Sequence, residues 1–337
     1  MSSIELRSDT FTKPSKAMLD YMFSAEVGDD VWDEDLTVKG LEKKMANLFG
    51  MDAALFCPSG TMANQIAIKV HTQPGDEVIC DYTSHVYQYE GGGIAFNSGA
   101  SVKLLHGNRG KLSVNLLNDA LREENVHYPR TSLVSIENTT NKGGGACYDL
   151  QTLQELSNFC KDNKLNFHLD GARLFHAIIE TKTEPKDYGA VFNSISVCMS
   201  KGLGAPVGSV LLGNQAFIHK AKRVRKVLGG GMRQAGYLAA ACDYALENNV
   251  VKLQEDHRRA KEIESVLNSM DCVLSVMPVE TNIIIFSIEE PLKLVQYLKT
   301  KNIYCSAIGA NQIRFVTHFQ FNDEMLELLK LSLQSYS

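Results

Sequence analysis

Six short apolar runs constrain the fold of this chain more than any other feature: Ala54–Cys57, Glu77–Cys80, Ser132–Ile136, Leu165–Leu169, Ile195–Met199 and Ser209–Leu212. Short, largely apolar runs of this length suit strands buried on both faces, as in a mostly parallel sheet. Helical spacing lies between them. Val38, Leu41, Met45, Leu48 and Phe49 recur at that spacing, with Thr37 read as the cap and Gly50 as the stop. Gln65 to Val70 is read as helical after Ala54–Cys57. The alternation predicts an α/β sandwich. From about Leu246 the pattern changes to one long charged helix through Asp256-His257-Arg258-Arg259, then the strand-like Asn282–Phe286 and a terminal helix, which reads as a smaller α+β domain. No internal repeat or low-complexity linker interrupts the 337 residues, a length that suggests roughly two domains.

Charge and cysteine usage narrow the function class. With 34 basic and 39 acidic residues the formal net charge is −5, which argues against general affinity for nucleic acid. No segment approaches membrane-spanning length, and the polar amino terminus carries no secretory signal. Eight scattered cysteines without a C-x-x-C pair fit reduced thiols in a cytoplasmic protein, and none is expected to bind metal. These properties suit a metabolic enzyme acting on a small molecule.

Three motifs carry chemistry. Ser200-Lys201-Gly202-Leu203 follows the run Ile195–Met199 and sets one lysine in a small-residue turn, where burial would favour a nucleophilic amine able to form a Schiff base. The other reading of Lys201 is a solvated loop lysine. Asp170 in Asp170-Gly171-Ala172-Arg173 ends the run Leu165–Leu169, and at the carboxyl end of a strand it would hold a pyridinium nitrogen protonated; a turn or helix-cap aspartate is the alternative. Lysine and aspartate together form the minimal pair for pyridoxal phosphate. Pro58-Ser59-Gly60-Thr61 opens a helix after Ala54–Cys57, so that Ser59, Gly60 and Thr61 present amides and hydroxyls to an anion, or else form a plain N-cap. Neither a P-loop nor a Gly-x-Gly-x-x-Gly fingerprint follows a strand, which leaves a nicotinamide dehydrogenase without its signature.

With these motifs in place the chain resembles the low-specificity L-threonine aldolases, in the beta-eliminating lyase group of pyridoxal-phosphate enzymes. The resemblance spans nearly the whole chain. It rests on Leu6-Arg7-Ser8-Asp9-Thr10, Val27-Gly28-Asp29-Asp30-Val31, His85 with Glu90-Gly91-Gly92, Glu137-Asn138-Thr139, Gly229-Gly230-Gly231-Met232-Arg233-Gln234 and Arg314-Phe315-Val316-Thr317-His318, beside the three motifs above. It implies the aspartate-aminotransferase-like fold (pyridoxal-phosphate fold type I). The expected parts are an N-terminal segment 1–45 bordering the active site, a three-layer αβα cofactor-binding domain 46–245 with a mostly parallel sheet, and a small C-terminal domain 246–337.

The same resemblance implies the site roles. Lys201, Asp170, Arg173, Ser59, Gly60, Thr61, His85 and Ser200 would bind the cofactor, with the His85 ring stacked on its pyridine face. Arg314 would grip the substrate carboxylate with help from Ser8 and Arg173. His127 would lie near the substrate hydroxyl, and Lys226 and Arg233 would reach the phosphate of a neighbouring subunit. The expected assembly is a homotetramer, a dimer of dimers with shared active sites. The implied reaction is retro-aldol cleavage of L-threonine and L-allo-threonine to glycine and acetaldehyde, with His85, His127 or an ordered water taking the β-hydroxyl proton. Another aldolase of β-hydroxy amino acids or a β-eliminating lyase would use the same residues, and a non-catalytic cofactor-binding scaffold is the alternative of another class. Three positions depart from the family pattern near the pocket: Trp32-Asp33 stands where Tyr-Gly is usual, Leu36 where proline is frequent, and Thr140 where histidine is common. They bear on the pocket for the β-substituent.

Overall fold

All six apolar runs form strands in the computed structural model, which describes residues 3–336; of the expected domain ranges, residues 1, 2 and 337 lie outside the described residues. In chain order the strands are β1 (Ile4–Glu5), β2 (Ala53–Cys57), β3 (Glu77–Asp81), β4 (Ser101–Leu105), β5 (Thr131–Glu137), β6 (Asn166–Gly171), β7 (Ser194–Cys198), β8 (Ser209–Gly213), β9 (Val273–Val276), β10 (Ile283–Ile288), β11 (Ile303–Tyr304), β12 (Ser306–Ala307) and β13 (Gln312–Val316).

Seven of them make the central sheet, in the order β2-β8-β7-β6-β5-β3-β4. Neighbours from β7 to β4 run parallel, and β8 alone runs antiparallel to both of its partners. The side chains alternate between two cores with the period of a strand. Ala54 and Phe56 of β2 and Val210 and Leu212 of β8 face one helical layer, which includes Leu36–Phe49, Leu150–Asp162 and Gly236–Asn248. Leu55, Cys57 and Leu211 face the other, formed there by Gly60–His71 and Gln215–Val227. The result is the expected three-layer αβα arrangement on a mostly parallel sheet. Burying a side chain such as Phe56 in this way contributes about 1.5–3 kcal/mol.

The second sheet, β12-β13-β10-β9, is antiparallel and packs with helices Leu253–Asn268, Pro291–Thr300 and Asp323–Gln334 around a separate core. β1 pairs in parallel with β11, and Ile4 and Leu6 enter that same core, so the chain starts in the smaller α+β unit before crossing to the larger one. No helix among the described residues is long and apolar enough to cross a membrane.

Two helix expectations are corrected. The cap of Leu36–Phe49 is Asp35, whose Oδ1 accepts from the Val38 amide at 3.0 Å; Thr37 Oγ1 instead donates to the Glu26 carbonyl at 2.6 Å. Gly50 does end that helix, at φ 62°, a conformation that glycine adopts without strain. The long charged helix is broken: Gly236–Asn248 stops at Asn249, a short turn follows, and Leu253–Asn268 begins anew. Asn249 Nδ2 donates to the Leu203 carbonyl at 2.7 Å, so the break ties the helix pair to the turn that carries Lys201.

Candidate active site

Parallel strands place their carboxyl ends along one edge, and the loops leaving that edge bring distant residues together. β6 delivers Asp170 there and β7 delivers Ser200 and Lys201 one strand over. Asp170 Oδ1 accepts from the Ala172 amide at 3.1 Å, while Oδ2 is buried without a partner among the described residues. Burial, reinforced by the charge of Glu90, raises the Asp170 carboxyl above the ordinary range, while His85 and Lys201 oppose that shift.

His85 enters from the turn after β3. Its Nδ1 lies 3.0 Å from Glu90 Oε1, and Glu90 is fixed in turn by Asn64 Nδ2 at 2.9 Å and Gln65 Nε2 at 2.7 Å. Nitrogen and carboxylate atoms of His85, Glu90 and Asp170 lie within 4.8 Å of one another. Burial alone would lower the His85 pKa, but the Glu90 hydrogen bond and the Asp170 charge outweigh it and raise the ring. Glu137, at the end of β5, is buried and accepts from the His85 amide at 3.1 Å and the Asn141 amide at 2.8 Å. Burial, then the nearby Asp170, pushes its carboxyl up to about 7.

The N-terminal segment supplies a counter-ion. Asp9 accepts from Arg173 Nε at 2.8 Å and from Nη2 at 2.7 Å, a two-pronged pair in which both residues are buried. Burial alone would raise the Asp9 carboxyl, yet Arg173 overcomes this and holds it well below the usual range. Arg314, from β13, donates to Asn141 Oδ1 and to the Arg7 carbonyl, each at 3.0 Å, and its buried Nε has no partner among the described residues. Burial and the adjacent Arg173 lower its pKa.

These groups surround a cavity of about 490 Å³ whose walls include Ser8, His85, Glu137, Arg173, Lys201 and Arg314. The helix Gly60–His71 starts against β7 and β8: Ser59 Oγ accepts from the Met62 amide at 3.1 Å, and a Cβ on Gly60 would lie 3.5 Å from Ser209 Oγ and 4.0 Å from Cys198 Cβ. Cys198 Sγ is 3.5 Å from Ser200 Oγ, which brings Ser59, Gly60 and Ser200 to one corner. Thr61 is exposed in the first turn of that helix.

Three expected residues do not join them within one chain. His127 is exposed in the loop before β5, at the opposite end of the strand from Glu137, so the chain's own fold does not carry it to the pocket. Lys226 is exposed at the end of Gln215–Val227, and Arg233 pairs with Asp29 at 2.9 Å on the surface. Lys220 and Lys222 are exposed, as a solvated basic face requires, but Arg225 on the same helix is buried, bonded to the Phe56 carbonyl at 2.7 Å and paired with Asp30 at 2.7 Å. Asp9, Glu90, Glu137 and Asn141 received no role from the sequence. Their only signal was membership of the quoted motifs or a place beside one.

Comparison with known proteins agrees in fold and family. Residues 5–291 match the family described as Beta-eliminating lyase. The chain is 42% identical to the low-specificity L-threonine aldolase 1 of Arabidopsis thaliana, over 95% of this chain and 92% of that one. It is 40% identical to the low specificity L-threonine aldolase of Escherichia coli K12, over 96% of each. A Leishmania major threonine aldolase structure superposes with a TM-score of 0.87 at 21% identity, over 98% of both chains, which speaks to the fold.

Proposed function

The chain belongs to the beta-eliminating lyase family, among the low-specificity L-threonine aldolases, and from that premise we propose that it cleaves L-threonine and L-allo-threonine to glycine and acetaldehyde. It is a carbon–carbon lyase that uses pyridoxal 5'-phosphate. The observation that carries the reading is Asp170 Oδ2, a buried carboxylate oxygen left unpartnered at a strand end one strand from Lys201. Such an orphan in a native interior calls for a missing partner, and a protonated ring nitrogen is one.

The residues fit the group. Lys201 would hold it covalently, Asp170 would face its ring nitrogen, and Ser59, Gly60, Thr61 and Ser200 would take its phosphate at the positive end of Gly60–His71. His85 would lie against the ring. When bound, pyridoxal phosphate supplies an electron sink for the pair released as the Cα–Cβ bond breaks.

The chain's own groups do the rest. Arg314 retains donors for a substrate carboxylate beyond its bonds to Asn141 and Arg7. Ser8 borders the same space, and Arg173 keeps Nη1 free of its Asp9 pairing. Fixing the carboxylate fixes which bond at Cα is presented for cleavage. His85, oriented by Glu90, takes the β-hydroxyl proton when its ring is neutral.

The finer assignments of site residues, and the division into segments 1–45, 46–245 and 246–337, belong to this proposal. So does a cytoplasmic homotetramer in which Lys226 and Arg233 reach a neighbouring subunit's phosphate. The exposed apolar side chains Trp32, Phe96 and Val227, at 75%, 89% and 85% exposure, support a covered surface of this kind. The decisive test is acetaldehyde release from each threonine diastereomer by purified protein supplied with pyridoxal phosphate. Lys201→Ala is expected to abolish both release and the visible absorbance of the bound cofactor. Near-normal release from that variant, or none from the unaltered protein with cofactor bound, would overturn the assignment.

A further inference from the structure

A second, much smaller cavity adjoins Lys201. It measures about 10 Å³ and its walls include Lys201, Cys198 and His176, which is at the lower limit for a single water molecule. His176 lies on the helix Leu174–Thr181, buried, with Nδ1 2.9 Å from His257 Nε2 on Leu253–Asn268. His257 Nδ1 is 3.3 Å from Glu180 Oε2, and Glu180 Oε1 pairs with Lys261 at 3.0 Å. His176 Nε2 is buried without a partner among the described residues. A Cβ on Gly202 would stand only 2.5 Å from it, so the turn that carries Lys201 is pressed against this nitrogen.

The chain of contacts fixes the tautomers. Burial lowers both histidines, His257 to about 4 and His176 well below the ordinary value, so both rings are neutral at pH 7. A neutral imidazole has one donor and one acceptor nitrogen. The Glu180 carboxylate only accepts, which puts the His257 proton on Nδ1 and makes its Nε2 an acceptor. His176 must then donate from Nδ1, leaving Nε2 as an obligate acceptor turned toward the Lys201 turn. Asp9 and Arg173 also act on His176, Glu180 and Lys261 flank His257, and Asp256 faces Asp9 and Arg259.

We propose that the small cavity is a water site through which His176 positions Lys201, the water donating to His176 Nε2 and accepting from the Lys201 amino group. His176 touches neither substrate nor cofactor in this scheme. It gives the lysine nitrogen a fixed partner both when the amine is free and when it holds the cofactor, and the His257–Glu180 arm keeps the accepting nitrogen deprotonated. The proposal rests on Lys201 as the residue that holds the cofactor.

The test uses protein loaded with pyridoxal phosphate and three variants, His176→Phe, His176→Gln and Glu180→Gln. Readouts are the pH at which the visible absorbance changes, kcat and KM, and the melting temperature. His176→Phe should displace that pH and lower kcat about tenfold with KM within twofold, an expected loss near 1.4 kcal/mol. His176→Gln, which restores an acceptor, should recover most of both, and Glu180→Gln should displace the pH in the same direction as His176→Phe by less. An unchanged absorbance profile in all three, with only the melting temperature lowered, would overturn the proposal and leave the histidines as packing. If His176→Phe fails to fold, the partly exposed Glu180→Gln decides. No visible absorbance in the unaltered protein would overturn the cofactor reading beneath it as well.

Discussion

Replacing Asp9 by asparagine keeps the shape of its side chain but takes one charge out of the buried pair with Arg173. Both guanidinium contacts, at 2.8 and 2.7 Å, go to that carboxylate, and both residues are buried. Removing one partner leaves the other charge buried and uncompensated, which costs about 3–5 kcal/mol. Folded proteins hold only about 5–15 kcal/mol in total, so this is a large share. Urea unfolding of cofactor-loaded protein, with the midpoint read at an unchanged slope, measures it. The pH dependence has a fixed sign. Asp9 is held well below the usual carboxylate range, so its stabilisation is complete above the unfolded pKa and is lost as pH falls. The gap between parent and Asp9→Asn should therefore be constant near neutrality and begin to narrow below about pH 4, where an unfolded aspartate protonates. The double variant Asp9→Leu with Arg173→Met, which removes both charges, should recover most of the lost stability. A stability of Asp9→Asn within about 0.5 kcal/mol of the parent, the range of ordinary surface substitutions, would refute the reasoning.

Other expectations follow from the pocket. Because Glu90 raises His85, and protonated His85 cannot accept the hydroxyl proton, Glu90→Gln should move the acid limb of kcat/KM to lower pH; a limb that stays in place would remove His85 as the base. Asp170→Asn should lower kcat by about a thousandfold, roughly 4 kcal/mol, while visible absorbance still detects bound cofactor; a loss under tenfold would mean that Oδ2 has another use. His127→Ala should change kcat/KM by less than about threefold, under about 0.7 kcal/mol, and a larger loss would show that the residue enters a pocket other than its own chain's.

The strands of the central sheet were legible because a strand buried on both faces is written as a short, largely apolar run, and Lys201 and Asp170 were legible because they stand where two such runs end. Local rules failed where a residue's partner lay elsewhere. Thr37 is a sound cap residue by type, yet its hydroxyl satisfies the Glu26 carbonyl and Asp35 takes the cap. The helix break at Asn249 lies inside an otherwise helical pattern and depends on the Leu203 carbonyl, 46 residues away. Asp9 acquires its meaning from Arg173, 164 positions on, and Glu90 from Asn64, Gln65 and His85 together. No periodicity encodes such pairings. His127 differs: its role was carried over from the resemblance, and within one chain the fold leaves it at the end of β5 opposite Glu137.

The pairing of β1 with β11 also sets the order in which the molecule can be made. Ile4 meets Ile303, and the segment that leaves β1 carries Ser8 and Asp9 to the pocket, where Arg7 meets Arg314. A ribosome adding about 5–20 residues per second needs roughly 15–60 s to travel from the first of these strands to the second. Throughout that interval the opening residues have no strand to join, although the central sheet up to β8 is already available for folding. The pocket is therefore completed last, and an emerging polypeptide stalled before β11 has Lys201, His85, Glu137 and Arg173 but neither Arg314 nor a docked Ser8 to finish the wall.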